Sequence, residues 1–161
     1  MQSYKDILNN EVKHFVEYCK EKLNINKDIQ INVVFRNKTE SNRVANNLFG
    51  YVDLLEIQEK QINNIVINNS DATLQSVLSY IAHEITHIKQ IINKELQISK
   101  CYKHFIWNNQ KLISLNVYKN YVKTKGIEKY MQIPFENEAY NNEKELTKGY
   151  TFKSAELSMF I

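Results

Sequence analysis

Apolar residues recur every third or fourth position near the start of the chain, at Ile7, Leu8, Val12, Phe15, Val16, Cys19 and Leu23. That spacing predicts a helix capped by Ser3 and running to about Leu23. After a turn over residues 24–28 the period shortens to two, and residues 29–35 read as a strand. Residues 36–47 are polar and read as a loop or a short helix. Residues 49–57 and 62–68 read as second and third strands, with 58–61 between them at hairpin length. Residues 68–71 break the pattern, Asp71 suits an N-cap, and helical spacing then resumes to about Asn93. A further helical region is expected over 103–123, anchored by Tyr102, Phe105, Leu112, Ile113 and Val122 and ended by Lys125-Gly126. Pro134 suits the first turn of a last main helix to about Lys148, and residues 149–161 carry no assignable pattern.

The order is helix, three strands, helix, helix, helix. It predicts an α+β fold, with a small antiparallel or mixed sheet packed on the helix of residues 71–94 and a mainly helical C-terminal half over 95–161. A chain of 161 residues suits one domain spanning 1–161, its first part (1–70) supplying the first helix and the strands. A hydrophobic fraction of 43% fits a folded globular chain, and three Gly with one Pro argue against long linkers or a Gly-rich phosphate loop. No apolar run approaches the ~20 residues of a membrane span, and the first residues lack a signal-peptide core, so no membrane partner and a cytoplasmic location are expected. Cys19 and Cys101 are too few for a disulfide framework.

Candidate chemistry changes this picture at one place. Residues 83–87 read His83-Glu84-Ile85-Thr86-His87, the pattern H-E-x-x-H, inside the helix expected over 71–94. Two histidines four apart on a helix lie on one face, close enough to grip one metal ion, and the glutamate between them can reach a water on that ion. At about 100° per residue, Leu74, Val77, Leu78, Ile81, Ile85, Ile88 and Ile92 share one direction. The two histidines face away from that stripe, with Ser76, Tyr80 and Gln90 on their side. That placement argues against core histidines satisfied by neighbours and for the floor of a cleft.

A catalytic zinc usually takes three protein ligands and keeps one open position. A metzincin-type extension would need Gly at 90 and His at 93, where this chain has Gln90 and Asn93. His14 lies on the first helix, and His104 follows Cys101 with no second Cys/His pair; both read as ordinary residues. The better source is Pro134-Phe135-Glu136-Asn137-Glu138-Ala139-Tyr140. There Phe135, Ala139 and Leu146 define a buried direction flanked by Glu136 on one side and Glu138 on the other. By spacing alone either glutamate could be the third ligand, and a glutamate pair complementing the helix dipole is the bland account of both.

H-E-x-x-H on one helix with E-x-x-A on a later one resembles the gluzincin branch of the zincin metallopeptidases. The short form, followed by P-x-E-x-E-A, is similar to compact bacterial and phage peptidases of the ImmA/IrrE and SprT-like kind. The resemblance covers roughly residues 48–148. It implies a zincin-like fold, a Zn2+ cofactor held by His83, His87 and Glu136, and Glu84 as the group that takes a proton from the attacking water and hands it to the leaving amine. Relatives often carry Asp or Asn four residues after the ligand glutamate, where it orients a histidine. This chain has Tyr140 there, which leaves that task open between Glu138 and another group. Tyr130, Tyr140, Tyr150 and His104 are the candidate donors to a tetrahedral oxyanion. A peptide substrate is expected to lie along a strand edge, offered by residues 49–57 or 62–68. The expected partner is a protein or peptide, with limited cleavage of a regulatory protein as the implied activity.

Two alternatives carry different signals. Residues 89–129 hold nine lysines against Glu95 and Glu128, a local +7 in a chain of net charge +3. With Tyr102, Phe105, Trp107, Tyr118 and Tyr121 interleaved, this mix could neutralise phosphates and stack bases of a nucleic acid. A solvated lysine face over an aromatic core is the plainer account. The other alternative is a zincin fold that binds without cleaving, against which Glu84 counts, since a structural metal site needs no general base.

Overall fold

The computed structural model of the chain describes residues 4–36, 50–68, 73–124 and 127–154. In chain order the elements are α1 (Tyr4–Lys22), β1 (Asn32–Phe35), β2 (Gly50–Val52), α2 (Leu54–Lys60), β3 (Asn64–Ile67), α3 (Leu74–Ile92), β4 (Leu96–Ile98), β5 (His104–Trp107), β6 (Gln110–Ser114), α4 (Leu115–Lys123), α5 (Ile127–Met131) and α6 (Pro134–Gly149). Among the described residues the architecture is α+β and mostly helical, with two three-stranded sheets. The expected caps Ser3 and Asp71, all but the first residue of the loop or short helix expected over 36–47, the stop at Lys125-Gly126 and residues 155–161 lie outside the described residues.

The first sheet is mixed, in the order β1-β3-β2, with β1 parallel and β2 antiparallel to β3. Central β3 buries Ile65, Val66 and Ile67, as a strand flanked on both sides must. Outer β1 is more open, with Val33 packed against the core and both Val34 and Phe35 exposed. The second strand ends earlier than its apolar pattern suggests. Asp53 accepts hydrogen bonds from the Leu55 and Glu56 amides and starts α2, which stops where Gln61 turns left-handed at φ 55°. The Asp53 cap therefore overrides the β-like run 54–57. The hairpin expected at 58–61 is not formed, although β2 and β3 remain antiparallel neighbours.

The second sheet corrects the expectation of a helix over 103–123. Those residues open with antiparallel β5 and β6, joined at Asn108 and Asn109, whose φ angles of 48° and 65° suit a type I′ turn. Strand β4 pairs along β5. Only Leu115–Lys123 is helical, capped by the Ser114 hydroxyl on the Val117 amide. Phe105, expected as a helix anchor, instead points from β5 onto Phe135 and Tyr118.

Helix α3 starts at Thr73, whose hydroxyl caps the Ser76 amide. Its main apolar stripe, with Leu78, Ile81, Ile85 and Ile88 fully buried, joins Phe15, Val16 and Cys19 of α1 and Ile65 and Ile67 of β3 in one core. The opposite face is covered by α6, where Ala139 is fully buried and lets the two helices approach. The far end of α6 is tied to α1 by Glu11, which accepts from the Tyr150 hydroxyl and the Lys153 and Ser154 amides. Among the described residues no helix is long and apolar enough to cross a membrane.

Candidate metal centre

The helical repeat sets His83 and His87 one turn apart on α3, facing α6. Pro134 begins α6 without a side-chain cap, and its first turn carries Glu136 toward them. Phe135 anchors that turn by packing between Phe105, Tyr118 and the His87 ring, with centroids 5.2, 5.8 and 6.0 Å away. All three chemistry-bearing side chains are buried: His83 is 9% exposed, His87 4% and Glu136 0%. Each of these depends on the others, because an unpaired buried charge would be too costly to keep.

The inward atoms meet at one point. His83 Nε2 lies 3.2 Å from Glu136 Oε2 and 3.2 Å from His87 Nε2, and His87 Nε2 lies 3.4 Å from the same oxygen. Ligand atoms at 2.0–2.1 Å from a tetrahedral zinc would stand about 3.3–3.4 Å apart. The outward atoms are also taken. His83 Nδ1 lies 3.3 Å from Glu143 Oε2, and His87 Nδ1 lies 2.9 Å from Gln90 Oε1. An oxygen at each Nδ1 suits a ring hydrogen there, the arrangement that leaves each Nε2 as the possible ligand atom. Glu136 Oε1 accepts a hydrogen bond from the Tyr118 hydroxyl at 2.8 Å, and Tyr118 is 3.0 Å from the Tyr130 hydroxyl. Three possible ligand atoms thus converge on one position that could hold a metal ion.

The titration behaviour says the same in terms of protons. Burial pulls the His83 imidazole down, but its bonds to Glu136 and Glu143 outweigh burial and push it up to about 10. Burial opposes the charged form of His87 too, and Glu136 overcomes it, so His87 is also raised. The Glu136 carboxyl, which burial alone would raise, is held well below the usual carboxylate range by His87 and His83. A metal ion at this point would compete with protons for the same ring and carboxylate atoms.

Glu84 is partly buried one step round α3. Burial raises its carboxyl above the ordinary value, opposed by the two imidazoles and by a hydrogen bond from the Val52 amide. That amide belongs to β2, which has no strand on its outer side among the described residues. The close approach of β2 to α3 requires Gly50, where a Cβ would meet Tyr80 Cβ at 3.2 Å and Ile67 Cδ1 at 3.3 Å. Of the two segments expected to offer an edge, the one over 62–68 contains the central β3 (Asn64–Ile67), and the one over 49–57 contains the outer β2 (Gly50–Val52).

The remaining expected site residues are placed as follows. Glu138 lies two residues past Glu136, on another side of α6, and its carboxylate pairs with Lys89 at 2.8 Å in a network that includes Glu95. It takes no part in the cluster. Tyr140 stacks edge-on against His83 with centroids 4.6 Å apart, and burial pushes its phenol up to about 12. Tyr130 sits behind Glu136, and Tyr150 donates to Glu11 at the other end of α6. His14 is exposed on α1, and His104 lies in β5. Among the described residues, His83, His87 and Glu136 are the one group of three side chains arranged to hold a metal ion. Of the aromatics in 89–129, Phe105, Trp107, Tyr118 and Tyr121 pack on the core and Tyr102 is exposed.

Sequence reasoning did not reach Glu143, Tyr118 or the role of Gln90. Glu143 stands two turns after Glu136 on the same face, a spacing of seven that was there to be read. Tyr118 comes from a separate helix and has no local signature. The fold and site together define an α+β chain with a buried His-His-Glu group able to hold a metal ion. Compared with known proteins, the chain matches no family model, no curated protein and no solved structure.

Proposed function

We infer that the chain is a zinc-dependent metallopeptidase with a compact zincin-like fold, in which His83, His87 and Glu136 hold Zn2+ and Glu84 is the general base. The observation that carries this reading is the near-equal 3.2–3.4 Å spacing of three inward lone pairs with a carboxylate of raised pKa beside them. When bound, zinc would supply Lewis-acid polarisation of a carbonyl and acidify a water molecule.

The chain's own residues do the rest. Glu84 takes a proton from the water as its oxygen bonds the peptide carbon, then delivers that proton to the nitrogen as the C–N bond breaks. Burial suits it to both steps, since a carboxyl raised above its ordinary value returns a proton more readily than an exposed one. The contact of Tyr140 with the His83 ring makes it our candidate donor to the developing oxyanion. An extended substrate fits the outer side of β2 by main-chain pairing, which would lay it along the strand whose Val52 amide already contacts Glu84. Limited cleavage of a regulatory protein is the activity we favour. All the named aromatics of the basic segment except Tyr102 pack on the core, which favours a lysine-rich surface over a base-stacking platform for nucleic acid.

The test combines metal analysis with two variants. Purified protein should carry about one zinc per chain. Glu84→Gln should keep the metal and lose proteolysis, whereas His87→Ala should lose both. Equal cleavage by wild type and Glu84→Gln would refute the assignment.

A further inference from the structure

The two histidines differ in how their tautomers are set. His83 Nδ1 faces Glu143, a carboxylate that only accepts hydrogen bonds when ionised. His87 Nδ1 faces Gln90, whose carboxamide has an oxygen at one end of the fork and an NH2 at the other. If the NH2 faced the ring, His87 Nδ1 would accept and its hydrogen would move to Nε2. The inward lone pair would then be gone, and with it the ability of His87 to ligate a metal.

The amide is prevented from turning. Gln90 is fully buried, and its Nε2 donates to the Phe135 carbonyl at 2.9 Å. A backbone carbonyl cannot donate, so it accepts only the NH2 end. Turning the amide over would set its oxygen against the Phe135 carbonyl oxygen in a buried site and leave the NH2 without that acceptor.

We propose that Gln90 is a positioning residue that reads the Phe135 carbonyl at the start of α6 and thereby fixes the His87 tautomer for metal binding. The inference rests on the metal-site reading and deepens it. Phe135 is the neighbour of Glu136, so one backbone segment both delivers the third ligand and prepares the second. Docking of α6 and readiness of His87 become a single event. Glu143, on the same helix, does the corresponding work for His83.

The test is zinc titration against a competing chelator, using Zn2+ alone as the probe, on wild type, Gln90→Met and Gln90→Glu. Gln90→Met keeps the length and removes both hydrogen bonds, and should weaken zinc binding 10- to 100-fold. Gln90→Glu loses the donor to Phe135 but keeps an oxygen for His87 Nδ1, and should recover most of that loss. A purely structural tie predicts the opposite order, because Gln90→Glu loses the same backbone contact and adds a buried charge. In zinc-loaded wild type, nitrogen NMR should show His87 with a slowly exchanging Nδ1–H and with Nε2 on the metal. This readout needs no variant to fold. Zinc affinity unchanged in Gln90→Met, weaker binding by Gln90→Glu than by Gln90→Met, or His87 coordinating through Nδ1 would each overturn the proposal while the metal site stands. Failure of wild type to bind zinc would overturn both.

Discussion

The hydroxyl chain behind Glu136 has a direction, and the direction has measurable consequences. Ionised Glu136 cannot donate, so the Tyr118 hydroxyl spends its one hydrogen on Oε1 at 2.8 Å. Tyr118 must then accept from Tyr130 across their 3.0 Å contact. Replacing Tyr118 with Phe removes a charge-assisted bond of about 1.5–3 kcal/mol and a neutral one of about 0.5–1.5 kcal/mol. Replacing Tyr130 with Phe removes only the neutral bond, since Tyr118 keeps its hold on the carboxylate. For a chain of this size, Tyr118→Phe should lower the melting temperature by about 10 °C and Tyr130→Phe by a few degrees at most. Once Tyr118 is gone, the Tyr130 hydroxyl has lost its acceptor, so deleting it costs little more. The double variant should therefore sit close to Tyr118→Phe alone, with a coupling of about 0.5–1.5 kcal/mol. Urea unfolding of the four proteins at pH 7 with chelator present measures this cycle. Equal single losses that simply add would refute the directed chain and, with it, the claim that Glu136 is held with only one oxygen free for a cation.

Two further outcomes bear on the same cluster. His83 is raised from 6.5 to about 10 in the metal-free fold, so its contribution to stability is complete below about pH 6.5 and is lost as pH rises through 10. Glu136 is lowered, so its contribution is complete above its ordinary 4.5 and fades only as pH falls toward its depressed value. Urea midpoints of metal-free protein should thus fall between pH 6.5 and 10, while zinc-saturated protein should show a flatter profile; parallel profiles would count against metal–proton competition at the cluster. Glu138→Gln should leave zinc affinity unchanged and cost under about 1 kcal/mol of stability, because its partner Lys89 keeps Glu95. A tenfold loss of zinc affinity in that variant would put Glu138, and not the Lys89 network, at the site.

Legibility followed the range of the interactions. The 3.6-residue repeat is local, so α1, α3 and α6 could be read from spacing, along with the side of α3 that carries the histidines. The segments 54–60 and 104–114 defeated the same reading because two local signals conflicted. Leu54, Leu55 and Ile57 suit a strand by composition, yet Asp53 and Glu56 form a helix start that wins once Ile57 is buried against the core. Asn108-Asn109 is a turn signal between two β-rich runs, and helical spacing of a few apolar residues concealed it. In both cases the turn or cap chemistry was the better guide, because backbone hydrogen bonds must be satisfied before side-chain periodicity can matter.

The site divides along the same line. H-E-x-x-H is legible because one helix places both imidazoles; the third ligand was narrowed to two glutamates because the helix phase of α6 was readable and its docking angle was not. What separates Glu136 from Glu138 is long-range. Phe135 fills the space between β5, α4 and α3, and that rotation of α6 aims position 136 at the histidines and position 138 at Lys89. The outer partners depend on still more of the fold, since Tyr118, Gln90 and Glu143 come from three different helices. A cluster assembled this way cannot be half formed: without α6 in place, two imidazoles lose their carboxylate, Gln90 loses the carbonyl that orients it, and His83 loses Glu143. Any cation bound at this point would therefore depend on the docking of α6 on α3 as a whole. A bound metal should stabilise that helix pair before it stabilises the rest of the chain.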